Sequence, residues 1–284
     1  MRPKRKTIVD VLMQCCGRTF AEELGIDLKA NDPASLFRLL CACLLFSTRI
    51  SHVIALKAAG NLKDHGWTTP QKMTASTWGQ RVRALDEAGY VRYDERAATM
   101  LGETAQLLLD LYDGDLGELR RRAGYQAARE RELLKEFSGI GDVGVNIFFR
   151  EVQAVWPELF PYLDARATES AAQCGLGADP TTLASLVTTR DDFARLAAAL
   201  VRVQLGHKHD EILEAAKENE ASPGSVQSNV HKVAVSSDYN FTSGTLPCLL
   251  EFPIRPRSAP TELPKVLAKR RSAGIRTARE PKTR

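Results

Sequence analysis

The sequence lacks most features that mark the easily recognised protein classes. Only 7% of its 284 residues are aromatic. No apolar run approaches the roughly 18–20 residues that a membrane-spanning helix needs. Its six cysteines form no CxxC pair and no cluster at metal or iron–sulfur spacing. The N-terminus shows no apolar stretch followed by a small-residue cleavage site. We therefore expect a cytoplasmic protein without a membrane segment, a disulfide framework or a metal centre.

Positive charge is concentrated at one end of the chain. Residues 221–284 hold 11 Lys and Arg against 4 Asp and Glu, whereas the first 220 residues hold 28 against 31. The larger part is therefore slightly acidic. If it binds nucleic acid, it must do so through a local patch and backbone donors, helped by the basic tail.

Apolar residues recur at helical spacing through most of the chain, and no segment before residue 225 alternates like a strand. The pattern predicts a first helix over 8–24, a buried central helix near 34–47 and a long amphipathic helix over 93–112. After residue 222 the periodicity fades and Ser, Pro and Gly become frequent. We predict an all-α protein of about ten short helices, followed by a flexible tail.

One short stretch carries a recognisable chemical motif. Residues 133–152 read LLKEFSGIGDVGVNIFFREV, in which Gly139-Ile140-Gly141 separates two predicted helices. Two glycines around one apolar residue permit a tight turn and leave free N–H groups at the start of the second helix. Such a helix N-terminus can hold a phosphate without reading the base sequence. An ordinary interhelical turn is the alternative interpretation.

Four blocks, in a consistent order, place this motif in a family context. They are residues 36–49, residues 88–97 with 107–115, residues 137–141, and residues 163–167 with 174–176. On these blocks the chain resembles the helix–hairpin–helix base-excision DNA glycosylase superfamily, which contains endonuclease III and the adenine glycosylase MutY.

The resemblance implies an all-α, two-lobed fold. It assigns 1–30 to an N-terminal helix on the C-terminal lobe, 31–155 to a helical lobe ending in the helix–hairpin–helix, 156–220 to the C-terminal lobe, and 221–284 to a flexible basic tail. The implied partner is double-stranded DNA, which suggests a nucleoid-associated protein, and no oligomer is expected.

The resemblance also assigns site residues. Asp164 matches the family's essential aspartate, whose carboxylate stabilises positive charge on the sugar and orients water during base loss. Its alternative role is to cap the helix that follows, and one residue can do both. The expected DNA contacts are Gly139, Ile140, Gly141, Val143, Thr48 and Arg49. Arg49 is the residue expected to fill the gap left by an extruded base, or else it is an ordinary surface arginine.

Three departures from the family pattern bear on the chemistry. Val143 stands where bifunctional members carry the lysine that attacks the sugar. Asp142 would repel a phosphate in the hairpin, unless its carboxylate points away. Only Cys174 lies between residues 44 and 247, so no iron–sulfur cluster is expected. The only cofactor that the resemblance allows is a structural monovalent cation at the hairpin.

These observations favour a monofunctional DNA N-glycosylase of base-excision repair. The first alternative is a non-catalytic helix–hairpin–helix protein that recognises distorted DNA. The second is an abasic-site lyase or endonuclease that uses a lysine elsewhere in the chain.

Other residues are expected to be structural. We predict that Cys41 and Cys43 pack as small apolar residues. Trp67, Trp78 and Trp156 are expected in the core, and Arg120, Arg121 and Arg122 on a solvated helix face.

Overall fold

The computed structural model describes residues 3–221, and within them it is helical with no β-strand. The all-α prediction is therefore confirmed. The α-helices are α1 Arg5–Cys16, α2 Phe20–Glu23, α3 Pro33–Phe46, α4 His52–Asp64, α5 Pro70–Ala75, α6 Trp78–Glu87, α7 Asp94–Tyr112, α8 Leu116–Arg122, α9 Ala127–Leu134, α10 Asp142–Val152, α11 Ala165–Gln173, α12 Pro180–Ala184, α13 Arg190–Gly206 and α14 His209–Ala221. Two short 3₁₀ helices lie at Leu28–Ala30 and Pro157–Leu159.

The predicted basic tail lies outside the described residues from position 222 onward. Within residues 3–221, no helix is both long enough and apolar enough to span a bilayer. The sequence boundaries proposed for the lobes at 30, 155 and 220 stay predictions.

Helix α3 is the centre of the larger hydrophobic core. Asp32 caps it by accepting hydrogen bonds from the backbone N–H groups of Ala34 and Ser35, at 2.9 and 3.0 Å, and Pro33 occupies its first turn. Ten of its fourteen residues are buried. Since α3 is apolar on nearly every side, the other helices of this core can pack around it. This core draws its buried residues from 21–159.

A second hydrophobic core is built from the two ends of the described chain. Ile8 and Leu12 of α1 are buried against residues 167–216 of α11 to α14. The observed cores therefore give the two-lobed architecture that the sequence predicts.

The two cores are joined by a segment that we call the strap, residues 17–23. The Nε of Arg195 donates to the carbonyl of Gly17 at 2.7 Å, and the Nε of Arg202 donates to the carbonyl of Arg18 at 3.1 Å. Glu151 of α10 accepts from the backbone N–H of Ala21 at 2.9 Å. The strap is thus fixed to α13 on one side and to α10 on the other.

Candidate nucleic-acid interface

The turn between α9 and α10 is a glycine hairpin, as the sequence predicts. Gly139 has φ of +81°, a conformation that side chains disfavour. A Cβ at this position would lie 2.8 Å from Sδ of Met100 and 3.2 Å from Cγ of Leu44. Both the conformation and the lack of space therefore require glycine. Between the two glycines, Ile140 is buried in the larger core and anchors the turn.

The start of α10 is open to solvent. Gly141 is the N-cap residue, and no side chain caps the helix. The first backbone N–H groups of any helix have no partner within it. Gly141, Asp142 and Val143 are exposed, and a Cβ on Gly141 would meet no atom within 4 Å. This end of α10 can accept an anion at its N–H groups, and the helix dipole favours negative charge there.

The carboxylate of Asp142, beside this opening, is paired with two cations. Its carboxylate makes an ion pair with Lys135 and lies 3.5 Å from Nη1 of Arg131, so it is directed toward α9. The hydrogen bond from Lys135, aided by the charge of Arg131, lowers the pKa of Asp142 below its ordinary value. The sequence left open whether Asp142 would repel a phosphate or would point away from it. In the structure its carboxylate is paired with Lys135 and Arg131.

The loop after α3 lies beside the hairpin helix. The Oγ of Ser47 is 2.9 Å from the position that a Cβ on Gly144 would occupy. The hydroxyl of Thr48 is engaged internally, with the carbonyl of Leu45 at 3.0 Å and with the hydroxyl of Tyr90. Arg49 is exposed. Of the two residues predicted to contact DNA from this loop, Arg49 presents its side chain to solvent, while Thr48 supports the loop.

A polar chain beside the hairpin was not anticipated from the sequence. The hydroxyl of Tyr162 is 2.6 Å from Oδ1 of Asn146, and Nη2 of Arg131 donates to that hydroxyl at 3.0 Å. The backbone N–H of Tyr162 donates to Oε1 of Gln153 at 2.9 Å. Burial raises the pKa of Tyr162. These bonds fix the loop before Asp164 against both α9 and α10.

Asp164 is buried at the start of α11. One carboxylate oxygen accepts from the backbone N–H of Ala167 at 2.9 Å, which confirms the predicted capping role. The other oxygen forms an ion pair with Nη1 of Arg150. The two side chains are 7% and 3% exposed, so solvent barely reaches either.

The surroundings of this pair are occupied by the strap. Phe20 is buried between two guanidinium groups, with Cζ of Arg150 5.9 Å and Cζ of Arg202 4.4 Å from its ring centre. Arg150 lies nine residues after Gly141, so it is roughly 13 Å along the axis of α10 from the hairpin. In this conformation Asp164 is therefore covered, and the guanidinium that it pairs with comes from the end of α10 opposite the hairpin.

Other sequence predictions have mixed outcomes. Cys41 and Cys43 are buried, as expected. Trp156 is fully buried and donates to Oδ1 of Asn31 at 3.1 Å, whereas Trp78 is 47% exposed, so its predicted core position is wrong. Because the tryptophan ring is large, it is often only partly covered, with one face packed against a neighbouring helix and the ring edge in water.

The three consecutive arginines at 120–122 also differ in how exposed their side chains are. The predicted solvated face is wrong for Arg120, whose side chain is 15% exposed and binds Glu158 through two nitrogens, at 2.5 and 2.7 Å. Arg121 and Arg122 are more exposed and pair with Glu118. Within residues 3–221, no group of three or more metal-ligating side chains comes together.

Comparison with known proteins adds one weak likeness. No protein-family model and no curated protein matches the chain. One solved structure, a trapped endonuclease III–DNA covalent intermediate with an estranged adenine, aligns with 59% of this chain and 73% of its own. The sequence identity is 16% and the TM-score is 0.39. A similarity at this score carries no weight for function, which must be argued from the site itself.

Proposed function

We propose that this protein binds double-stranded DNA by holding a backbone phosphate on the hairpin of residues 138–144. The observation that carries the proposal is the open start of α10, where Gly141 leaves backbone N–H groups uncapped and exposed. Phosphate is the anion that such a site accepts from duplex DNA without regard to base sequence. The exposed Arg49, on the loop against Gly144, adds a cation near this surface.

A glycine substitution can test this binding with little effect on the fold. Gly141 has φ of −99°, and an added Cβ would meet nothing within 4 Å. Gly141→Ala should therefore leave stability nearly unchanged while placing a methyl group where the phosphate approaches. We expect the variant to bind a fluorescent duplex at least about tenfold more weakly, the scale of one lost charge-assisted hydrogen bond.

Gly79→Ala is the matched control, because Gly79, in α6, is likewise exposed and has no atom near an added Cβ. It should bind like the wild type. Equal affinity of the wild type and Gly141→Ala would reject the hairpin as the phosphate site, and the absence of any duplex binding would reject the function.

Base excision by Asp164 is the second candidate function. It is supported by the match of Asp164 to the essential aspartate of the family that the sequence resembles, whereas in this structure the carboxylate is buried in an ion pair with Arg150. For excision, the pair must open when DNA binds, so that the carboxylate reaches a deoxyribose whose base has been turned out of the stack. Val143 offers no amine, so the expected chemistry is water-mediated base release without strand cleavage.

Release of free base from duplexes with damaged or mispaired bases tests this candidate. Activity in the wild type that is lost in Asp164→Asn, with duplex binding retained, would support it. Unchanged release in Asp164→Asn would reject Asp164 as the catalyst. No release by the wild type across the panel, together with normal binding, would leave DNA binding as the function.

A further inference from the structure

Two neighbouring cysteines form an unusual contact at the end of α1. Cys15 and Cys16 are its last two residues, and their sulfur atoms lie 2.8 Å apart. Consecutive side chains on a helix point about 100° apart, so their ends do not normally meet. Both residues are only partly buried. This is a two-sulfur site within reach of small molecules, and neither the hairpin nor Asp164 belongs to it.

The two sulfurs share one hydrogen bond, in which either can be the donor, but their surroundings differ. This hydrogen bond lowers the pKa of Cys16, burial and the charge of Glu211 oppose the lowering, and the positive charges of Arg202 and Lys208 add to it. The same hydrogen bond, together with burial, raises the pKa of Cys15. The thiolate is the nucleophilic form of cysteine. Because Arg202 and Lys208 act on the Cys16 sulfur, we assign Cys16 as the nucleophile of the pair. Cys15, whose S–H donates to the carbonyl of Leu12 at 3.7 Å, is the adjacent thiol.

The buried cysteines provide an internal comparison. Burial raises the pKa of Cys174 to about 11. Burial also raises the pKa values of Cys41 and Cys43. These three residues lack both exposure and thiolate character, so oxidants should select the pair at the end of α1.

We propose that Cys15 and Cys16 form a site of reversible oxidation by hydroperoxides. The Cys16 thiolate attacks the peroxide oxygen, the O–O bond breaks, and the departing oxygen takes a proton to leave as water or an alcohol. The resulting sulfenic acid is attacked by Cys15 sulfur, which loses its proton as a second water leaves. A disulfide forms, the two sulfurs are oxidised by two electrons in total, and the peroxide is reduced.

Geometry makes such a disulfide easy to reduce again. Consecutive Cα atoms are about 3.8 Å apart, whereas disulfides usually join Cα atoms roughly 4.4–6.8 Å apart. A bond between neighbours is therefore strained, and strained disulfides have more oxidising potentials. The next two residues, Gly17 and Arg18, are tied to α13 through Arg195 and Arg202. Oxidation of the two cysteines should consequently affect the conformation of the strap.

Mass spectrometry of the full chain tests the proposal, in a Cys248→Ser background that removes the cysteine outside the described residues. After limited hydrogen peroxide, the peptide containing both cysteines should lose two hydrogens, and a thiol reductant should restore them. Cys174 should remain unmodified. In Cys15→Ser, the sulfenic acid at Cys16 should persist and be trapped by dimedone.

In Cys16→Ser, Cys15 should react more slowly than Cys16 does in Cys15→Ser, because the charge of Arg202 acts on the Cys16 sulfur and still does so when Cys15 is replaced. Faster reaction at Cys15 than at Cys16 would overturn the assigned roles. Failure to form the internal disulfide, or equal oxidation of Cys174, would overturn the site. None of these results depends on whether the protein binds DNA.

Discussion

At the scale of single residues, the Arg150–Asp164 pair bears both on the stability of the fold and on the proposed chemistry of Asp164. The guanidinium is 3% exposed and its Nε has no hydrogen-bond partner within the described structure. A buried ion pair costs desolvation that its attraction only partly offsets, but removing one partner leaves an uncompensated charge. Any change to Asp164 will therefore affect stability as well as chemistry, and the two must be measured separately.

Asp164→Ala should lower the free energy of unfolding by about 3–5 kcal/mol, because Arg150 then stays buried without its counter-charge. The double variant Arg150→Met/Asp164→Ala should recover part of this loss, because no buried charge is then left unpaired. Urea unfolding of the wild type, both single variants and the double variant measures the coupling. Additive losses in the double variant would show that the pair is not the source of the effect.

Glu130 gives a second prediction, concerning pH. Its side chain is fully buried, and burial, together with a hydrogen bond to Glu158 and the charge of Glu158, raises its pKa from 4.5 to about 8. The folded protein thus keeps a proton that the unfolded chain loses near pH 4.5. The free energy of unfolding from this group should fall as pH rises from 4.5 to 8.

Glu130→Gln removes this dependence, so the variant should gain on the order of 3 kcal/mol relative to the wild type between pH 6 and 9. Urea unfolding at the two pH values measures the change. Glu132→Gln, on the same helix but with a side chain 68% exposed, is the control and should follow the wild type. A parallel pH profile for Glu130→Gln and the wild type would contradict the buried, protonated state.

At the scale of elements, the two hairpin glycines should respond differently to substitution. Gly139→Ala forces a Cβ to within 2.8 Å of Met100 at a φ of +81°. We expect it to lower the free energy of unfolding by about 1–3 kcal/mol, from strain and overpacking. Thermal unfolding of Gly139→Ala and Gly141→Ala checks this, and equal stabilities would mean that the turn relaxes freely.

The apolar spacing predicts most of the helices, but it does not predict where each of them begins and ends. The predicted helix over 8–24 is broken at Gly17, because Thr19 and Glu22 form a capping box that starts α2. That signal is present in the sequence. The start of α5 is likewise signalled in the sequence, because Thr69 caps it and Pro70 occupies its first position.

The surroundings of Asp164 could not be predicted from the sequence. The motif indicated the aspartate and its capping role, since both depend on neighbours in the chain. Its ion pair with Arg150 joins two different helices, and the Phe20 ring that packs against Arg150 belongs to a segment more than 120 residues away in the chain. Local patterns carry no record of such contacts.

At the scale of the whole described molecule, two hydrophobic cores predict regional stability. Leu12 is fully buried in the core shared with α13, and Leu40 is fully buried in the core around α3. Each Leu→Ala change should cost about 2–5 kcal/mol. Native-state hydrogen exchange should show Leu12→Ala reducing protection chiefly in α13, and Leu40→Ala chiefly in α3. Equal loss in both regions would indicate a single cooperative unit.

The smaller core also sets an order of events during synthesis. Helix α1 is synthesised before the residues that cover Ile8 and Leu12, because those residues belong to α11–α14 and lie far later in the chain. At translation rates of about 5–20 residues per second, nearly 200 residues take roughly 10–40 s to follow. During that interval the apolar face of α1 has no native surface to pack against. The nascent α1 segment should therefore need protection by chaperones.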